Sequence, residues 1–379
     1  MITNQISYKQ FIYLLVLIPI FLFSCSGDND NDLDSDKIDE VDEIEEVDET
    51  DSDYISAADL SLLPKIENTN AVFYNLENQT EDVLTTLKNN GVNTIRLRIW
   101  HTPEDSHSSF DEVKSFSEKI HAKGLKVWIT VHYSDTWADP ANQTPPTNWQ
   151  GLTFNDLKDK MYTYTKSIVT EIQPDFIQIG NEINSGMLFP FGTIESNETQ
   201  FISLLSEGVK AVRDNSTKTK IIIHFAGIEG SDWFYNKVKN IDYDIIGLSY
   251  YPIWHGKDLN NLKSTLNSLS TTYNKDILIA ETAYPFTLDW NDWTDNIVGL
   301  EEQLILPDYP ATPTGQKDFI AKIKEIVTQT NEGIGFCYWG GELIAFDGPE
   351  SKNGSSWENQ ALFDFDNKAL PVLSEFKIE

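Results

Sequence analysis

Short apolar runs recur along the chain at positions 55–60, 94–99, 126–131, 176–179, 220–225, 245–248, 277–280 and 334–338. Between them lie longer stretches, 81–89, 110–122, 154–172, 199–212, 233–238, 259–273 and 314–330, where apolar residues return every three or four positions. The first pattern predicts buried strands and the second predicts amphipathic helices laid over them. Gly91 and Gly124 follow two of the helical stretches, where a left-handed C-cap is expected. Strand and helix alternating in this way predict a single closed (β/α)8 TIM barrel. An open doubly wound sheet shares the alternation, but no Gly-rich phosphate loop follows any strand. No linker, repeat or low-complexity run divides 54–379, so that stretch reads as one catalytic domain.

The chain before the barrel reads differently. Lys9 precedes an apolar run over 11–23, followed by Ser24-Cys25. The run is short for a membrane span and opens the chain, which predicts a signal peptide. Leu22-Phe-Ser-Cys25 resembles a bacterial lipobox, which implies cleavage after residue 24 and acylation of Cys25. Several acyl chains would hold the protein on a membrane. Residues 26–53 are dominated by Asp and Glu, broken by Ser, Asn, Gly, a lone Lys37 and scattered Ile, Leu and Val, and carry much of the net charge of −32. Such a segment has too little apolar surface to fold, so 25–53 is expected to be a disordered tether. An acidic block directly after the cysteine resembles the export signal of surface lipoproteins in Bacteroidetes-type bacteria, which implies an outer-membrane or cell-surface location. The remaining acidity excludes nucleic acid as a partner. Cys337, in an apolar strand, is the other cysteine; no disulfide framework exists, and a buried thiol is expected.

Two strand ends carry the chemistry. In Asp175-Phe-Ile-Gln-Ile-Gly-Asn-Glu-Ile-Asn184 the strand stops at Gly180 and Asn181-Glu182 follows. Asp276-Ile-Leu-Ile-Ala280 is a second such strand, with Glu281 at its end. A single glutamate where a strand meets a loop is ordinary. Two of them at the carboxyl ends of barrel strands match what glycoside hydrolysis needs, two carboxyl groups facing one glycosidic bond. Arg96 interrupts an apolar strand and is expected to face a carboxylate. No two histidines share a helix face at ligand spacing, so no catalytic metal is expected. The ten Trp and fifteen Tyr include several outside the apolar runs, where they are candidate sugar platforms.

The loop motifs resemble one family. They are Gly91-Val-Asn-Thr-Ile-Arg-Leu-Arg-Ile-Trp100, Val131-His-Tyr-Ser-Asp-Thr-Trp-Ala-Asp-Pro140, Ile179-Gly-Asn-Glu-Ile-Asn184, Ile246-Gly-Leu-Ser-Tyr-Tyr-Pro-Ile-Trp-His-Gly256, Ala280-Glu-Thr282 and Gly354-Ser-Ser-Trp-Glu-Asn-Gln-Ala-Leu-Phe363. Together they are similar to glycoside hydrolase family 53, arabinogalactan endo-β-1,4-galactanases, from about Ala57 to the C-terminus. The resemblance implies retaining hydrolysis of β-1,4-galactan, with no cofactor for the chemistry. It implies that Glu182 is the general acid/base and Glu281 the nucleophile. Arg96 and Tyr250 or Tyr251 would keep Glu281 ionised, and Asn181 would bond the sugar 2-hydroxyl. His132, Asp135, Trp137, Trp254 and Trp339 would line subsites.

Two segments depart from the family pattern. Tyr338-Trp-Gly-Gly-Glu-Leu-Ile-Ala-Phe-Asp347 lacks the Pro-Ala-Trp expected after Trp339. Asp289-Trp-Asn-Asp-Trp-Thr-Asp295 partly resembles a calcium loop but lacks its histidine. Asp289, Asn291 and Asp295 could hold a structural Ca2+, or the loop is simply solvated and acidic. The competing readings are a glycan-binding lipoprotein on an inactive barrel and another endo-glycanase of the same clan, a mannanase or xylanase. The glutamate pair argues against the first, and the His132–Pro140 block against the second.

Overall fold

The computed structural model describes residues 54–378. The signal peptide, the lipobox cysteine Cys25 and the acidic tether over 26–53 lie outside the described residues. The barrel strands are Ile55–Asp59, Thr94–Ile99, Lys126–Val131, Phe176–Ile179, Lys220–Ala226, Ile245–Ser249, Asp276–Thr282 and Gly333–Tyr338. They stand in chain order, each parallel to its neighbours, and the first pairs with both the second and the eighth, which closes the barrel. Each coincides with a predicted apolar run. The seventh runs through Thr282, so Glu281 lies inside it rather than beyond its end.

Helices Val83–Asn89, Phe110–Ala122, Phe154–Glu171, Ile194–Asn215, Ser231–Val238, Leu259–Tyr273 and Pro313–Thr328 follow the strands. Several begin at short polar residues: Asp82, Ser109, Thr153, Asp258 and Thr312 each accept a first-turn N–H. The helix after the fourth strand starts earlier than its apolar period suggests and is kinked at Asn197. A short hairpin, Gly186–Met187 with Gly192–Thr193, precedes it, and the short helix Leu63–Glu67 follows the first strand. None of these short elements carries enough periodicity to be read from sequence. Gly91 has φ +99, and a Cβ there would stand 2.6 Å from the backbone of Lys377, so the C-terminal segment closes against a position only glycine fits.

The barrel interior is layered, and this positions the site. Its lower part is apolar: Ile55, Ala57, Trp128, Phe176, Ile222, Ile245, Leu278, Ala280 and Cys337 pack into one cluster. Two residues further along the strands the inward-facing set turns polar, to Asp59, Thr130, Gln178 and His224, all buried. Arg96 and Ser249 join that layer. Burying such groups is costly unless they satisfy one another. They do so through a continuous hydrogen-bond network, and that network is the floor of the cleft above it.

Candidate active site

A cleft of about 1000 Å³ opens at the carboxyl ends of the strands. Its lining includes Trp137, Asn181, Glu182, Tyr251, Trp254, Glu281, Trp339 and Trp357. One oxygen each of Glu182 and Glu281 and one ring nitrogen of His224 lie within 4.8 Å of one another. The fourth and seventh strands therefore bring the two predicted carboxylates face to face.

Their surroundings differ sharply. Glu281 Oε1 accepts from Arg96 Nη2 at 2.6 Å, and Oε2 accepts from the Tyr251 hydroxyl at 3.1 Å. Arg96 also donates to Asp59 Oδ2 at 2.7 Å and to Asn181 Oδ1 at 3.1 Å, with its guanidinium over the Trp128 ring. The expected carboxylate partner of Arg96 is thus two carboxylates, and they hold the guanidinium charged despite its burial. Burial raises the Glu281 carboxyl, and the Arg96 charge opposes that rise. A register shift between the sixth and seventh strands sets Ser249 opposite Glu281.

Among the described residues Glu182 makes no ion pair, and its hydrogen-bond partner is neutral. Its Oε1 accepts from Ser249 Oγ at 2.6 Å. Ser249 Oγ in turn lies 2.9 Å from His224 Nε2, and His224 Nδ1 lies 2.9 Å from Gln178 Nε2. The Glu182 backbone N–H also points at Nδ1, 3.4 Å away. With N–H donors converging on Nδ1, the ring proton is assigned to Nε2, where it donates to Ser249. Burial and the nearby Arg96 charge hold His224 neutral, well below the ordinary histidine range. Burial first, and then the Glu281 charge, push the Glu182 carboxyl up to about 8. Of the coupled pair, the carboxylate beside a guanidinium ionises first and the one beside a hydroxyl keeps the proton. Glu182 also has φ +46, a left-handed conformation that costs a glutamate energy and holds it at a fixed angle.

The remaining predicted residues divide. Trp137 and Trp254 are 43% and 54% exposed on the cleft wall; Trp339 packs between Trp137 and Trp357, and Trp254 packs on Trp357 directly. Asn181 lines the cleft; its amide donates to Ala138 O at 2.8 Å and has a second N–H to offer. Tyr250 does not reach the cleft: its hydroxyl donates to Gly256 O at 2.7 Å and its ring is fully buried. His132 is buried too, with Nδ1 accepting from the Ala138 N–H at 3.0 Å, so it fixes the loop that presents Trp137. Asp135 spends its oxygens on the backbone of Thr102 and Thr147, at 2.9 and 2.7 Å. Of the residues read as calcium ligands, Asp289 and Asp295 are exposed, and the Asn291 amide donates to Phe365 O. Asp292 and Thr294 turn inward in that loop.

Other residues of the site were given no role from the sequence. Ser249 and Gln178 wire Glu182 to His224. Arg98 lies between Trp100 and Trp137, 4.8 and 4.3 Å from their ring centres, and stiffens that wall. Trp357 packs against Trp339 at 4.5 Å and against Tyr251 at 5.5 Å. Its Gly-Ser-Ser-Trp motif was visible, but no strand end marks where that segment folds back.

Residues 55–376 match the family model described as Glycosyl hydrolase family 53. An endo-beta-1,4-galactanase of Bacillus subtilis is 33% identical over 86% of this chain and 86% of its own length. An arabinogalactan endo-beta-1,4-galactanase of Cellvibrio japonicus is 33% identical over 85% of this chain and 90% of its own. Among solved structures, the family 53 catalytic domain from Ignisphaera aggregans superposes with a TM-score of 0.80 at 36% identity, covering 86% of this chain and 96% of that one.

Proposed function

We infer the function from one premise: this chain belongs to glycosyl hydrolase family 53. It is a glycoside hydrolase, and the substrate named for its galactanase relatives, β-1,4-linked galactan, is the one assigned to it here. The reaction is endo-hydrolysis with retention. The observation that carries it is the pair of carboxyl groups close together with unlike partners. An inverting pair stands roughly 6.5–9.5 Å apart to admit a water, whereas a retaining pair is about 5–5.5 Å apart. One oxygen of each lies within 4.8 Å of the other, which favours the closer, retaining arrangement. Glu281, ionised, attacks the anomeric carbon; the C–O bond breaks, and Glu182 gives its proton to the leaving oxygen. With the Glu281 charge consumed in the ester, Glu182 becomes a better base and deprotonates the water that releases the sugar.

Unbranched β-1,4-galactan is the test, with reducing ends counted and products sized over time. Early oligosaccharides of mixed length are expected. No release from galactan, alongside release from mannan or xylan, would sink the substrate assignment. The rival reading, an inactive glycan binder, is disfavoured because neither carboxyl group nor its partners are missing.

The membrane location rests on the sequence before the barrel. A lipid anchor at Cys25 is proposed, which would hold the enzyme at the bacterial outer membrane or cell surface. Cys25→Ala should move the protein from the detergent phase to the aqueous phase in Triton X-114 partitioning. A variant that still partitions with detergent after signal removal would rule the anchor out.

A structural cation is proposed on different residues from those read in the sequence. Asp292 and Glu358 are both buried, and Asp292 Oδ2 and Glu358 Oε2 have no hydrogen-bond partner. Burial raises Glu358, and the neighbouring Asp292 raises it further. Two buried carboxyl groups with free oxygens suit a hard divalent cation. Chelation by EDTA should lower the melting temperature of the wild type, and added Ca2+ should restore it; Asp292→Asn should melt at the chelated value and ignore Ca2+. A wild type whose melting ignores both would remove the cation.

A further inference from the structure

The loop after the seventh strand presents two indoles to solvent. Trp290 and Trp293 are each 54% exposed. Neither ring packs on another aromatic among the described residues; the charged end of Lys352 lies 5.8 Å from the Trp293 ring centre. Isolated exposed apolar residues are common, but two large indoles three positions apart on one pinned loop are not. The pinning is extensive. Asn291 N–H donates to Glu358 at 2.6 Å, Trp293 N–H to Ser351 O at 2.9 Å, Thr294 N–H to Asp292 at 2.6 Å, and Ile297 N–H to Ser356 O at 2.9 Å. The rings are therefore held out at fixed places, and a ligand that stacks on them pays little to order the backbone.

The back of this loop is the wall of the cleft. Gly354, Ser355, Ser356 and Trp357 line the cleft. Gly354 N–H donates to Thr294 Oγ1 at 2.9 Å, and a Cβ on Gly354 would stand 2.4 Å from Asp292 Oδ2. A polymer leaving the cleft over this wall meets the loop directly. Asp289 and Asp295, which flank the two indoles, are exposed carboxylates. Flat apolar faces beside hydrogen-bond acceptors match a sugar, whose C–H face stacks while its hydroxyls donate. A protein-binding core would be depleted of charge at that point.

We propose that Trp290 and Trp293 form a second carbohydrate-binding platform, outside the catalytic cleft, for the distal residues of the same β-1,4-galactan chain. The proposal rests on the galactan assignment. It makes the enzyme favour polymer over short substrates without altering the chemical step.

The test compares wild type with Trp290→Ala/Trp293→Ala on soluble galactan and on an aryl β-1,4-galactobioside, together with mobility in native gels containing galactan. The double variant should raise KM on galactan by about fivefold, since each stacked ring contributes a few-fold to affinity. Its kcat on galactan and its kcat/KM on the galactobioside should stay within about twofold of wild type, and its gel retardation should fall. Trp290→Phe/Trp293→Phe should recover most of the retardation, since a stacking face remains. Unchanged KM and retardation would overturn the platform. So would equal losses on both substrates, because the change would then be structural. A wild type neither retarded by galactan nor active on it would overturn the substrate assignment instead.

Discussion

Glu281→Gln should leave a folded protein whose turnover of galactan falls by more than about 10⁴-fold. The amide has the shape of the carboxylate and can still accept from Tyr251, so the cleft keeps its form. What is lost is the negative charge that attacks the anomeric carbon and balances Arg96. Arg96 keeps its bond to Asp59 at 2.7 Å, so the guanidinium is not stranded. A modest drop in melting temperature is therefore expected, corresponding to the loss of one charge-assisted hydrogen bond of about 1.5–3 kcal/mol. Three measurements check this: kcat on galactan, the melting curve, and the affinity for a galacto-oligosaccharide, which should be close to that of wild type. An aryl galactoside sharpens the contrast. Its leaving group needs little protonation, so Glu182→Gln should retain more activity on it than on galactan, whereas Glu281→Gln should be equally poor on both. Measurable turnover by Glu281→Gln on either substrate would remove that residue from the nucleophile's role.

The same two glutamates show what the sequence could reveal. A buried strand has a period of two, so a carboxylate at its end has a known place at the mouth of a barrel. Arg96 was legible for a similar reason: a charge inside an apolar strand must be paired. The choice between Tyr250 and Tyr251 stayed open because the sixth strand was read as ending at Leu248, short of both, whereas it runs to Ser249. The register shift puts its extra residue on the seventh strand, while the sixth keeps its period of two from Ile245 through Ser249 to Tyr251. That alternation carries the Tyr251 hydroxyl to Glu281 and leaves the Tyr250 hydroxyl to Gly256. Loops hid more. Asp289, Asn291 and Asp295 were read as cation ligands because the segment partly resembles a calcium loop, a likeness that does not say which side chains turn inward. In this loop Asp292 and Thr294 turn inward, and their contacts with the 351–358 segment decide that. Gln178 and His224 lay within predicted strands but could not be joined to Ser249 and Glu182 without the barrel's cross-strand neighbours.

The wiring of Glu182 leads to the second large effect. Its carboxyl must be protonated when the glycosidic bond breaks, and its raised value of about 8 keeps that form present through neutral pH. Activity should therefore fall as pH rises through about 8, when the acid deprotonates. On the acid side it should fall as Glu281 takes up a proton. Glu182→Ala should lose galactan turnover by on the order of 10²–10⁴-fold and should lose the alkaline limb with it. On an aryl galactoside the ester on Glu281 should form and then persist, because no base remains to activate water. Azide needs no base and fits the space the carboxylate leaves. It should restore turnover and give a β-galactosyl azide, since it approaches from the face the leaving group vacated. The same stereochemistry governs the wild type. Attack by Glu281 turns a β-linkage into an α-ester, and water entering from the opposite face returns it to β. Proton NMR of a fresh digest should see the β-anomer first, before mutarotation mixes the signals. An α-anomer appearing first would mean that water attacks directly, and neither glutamate could then hold the role assigned to it.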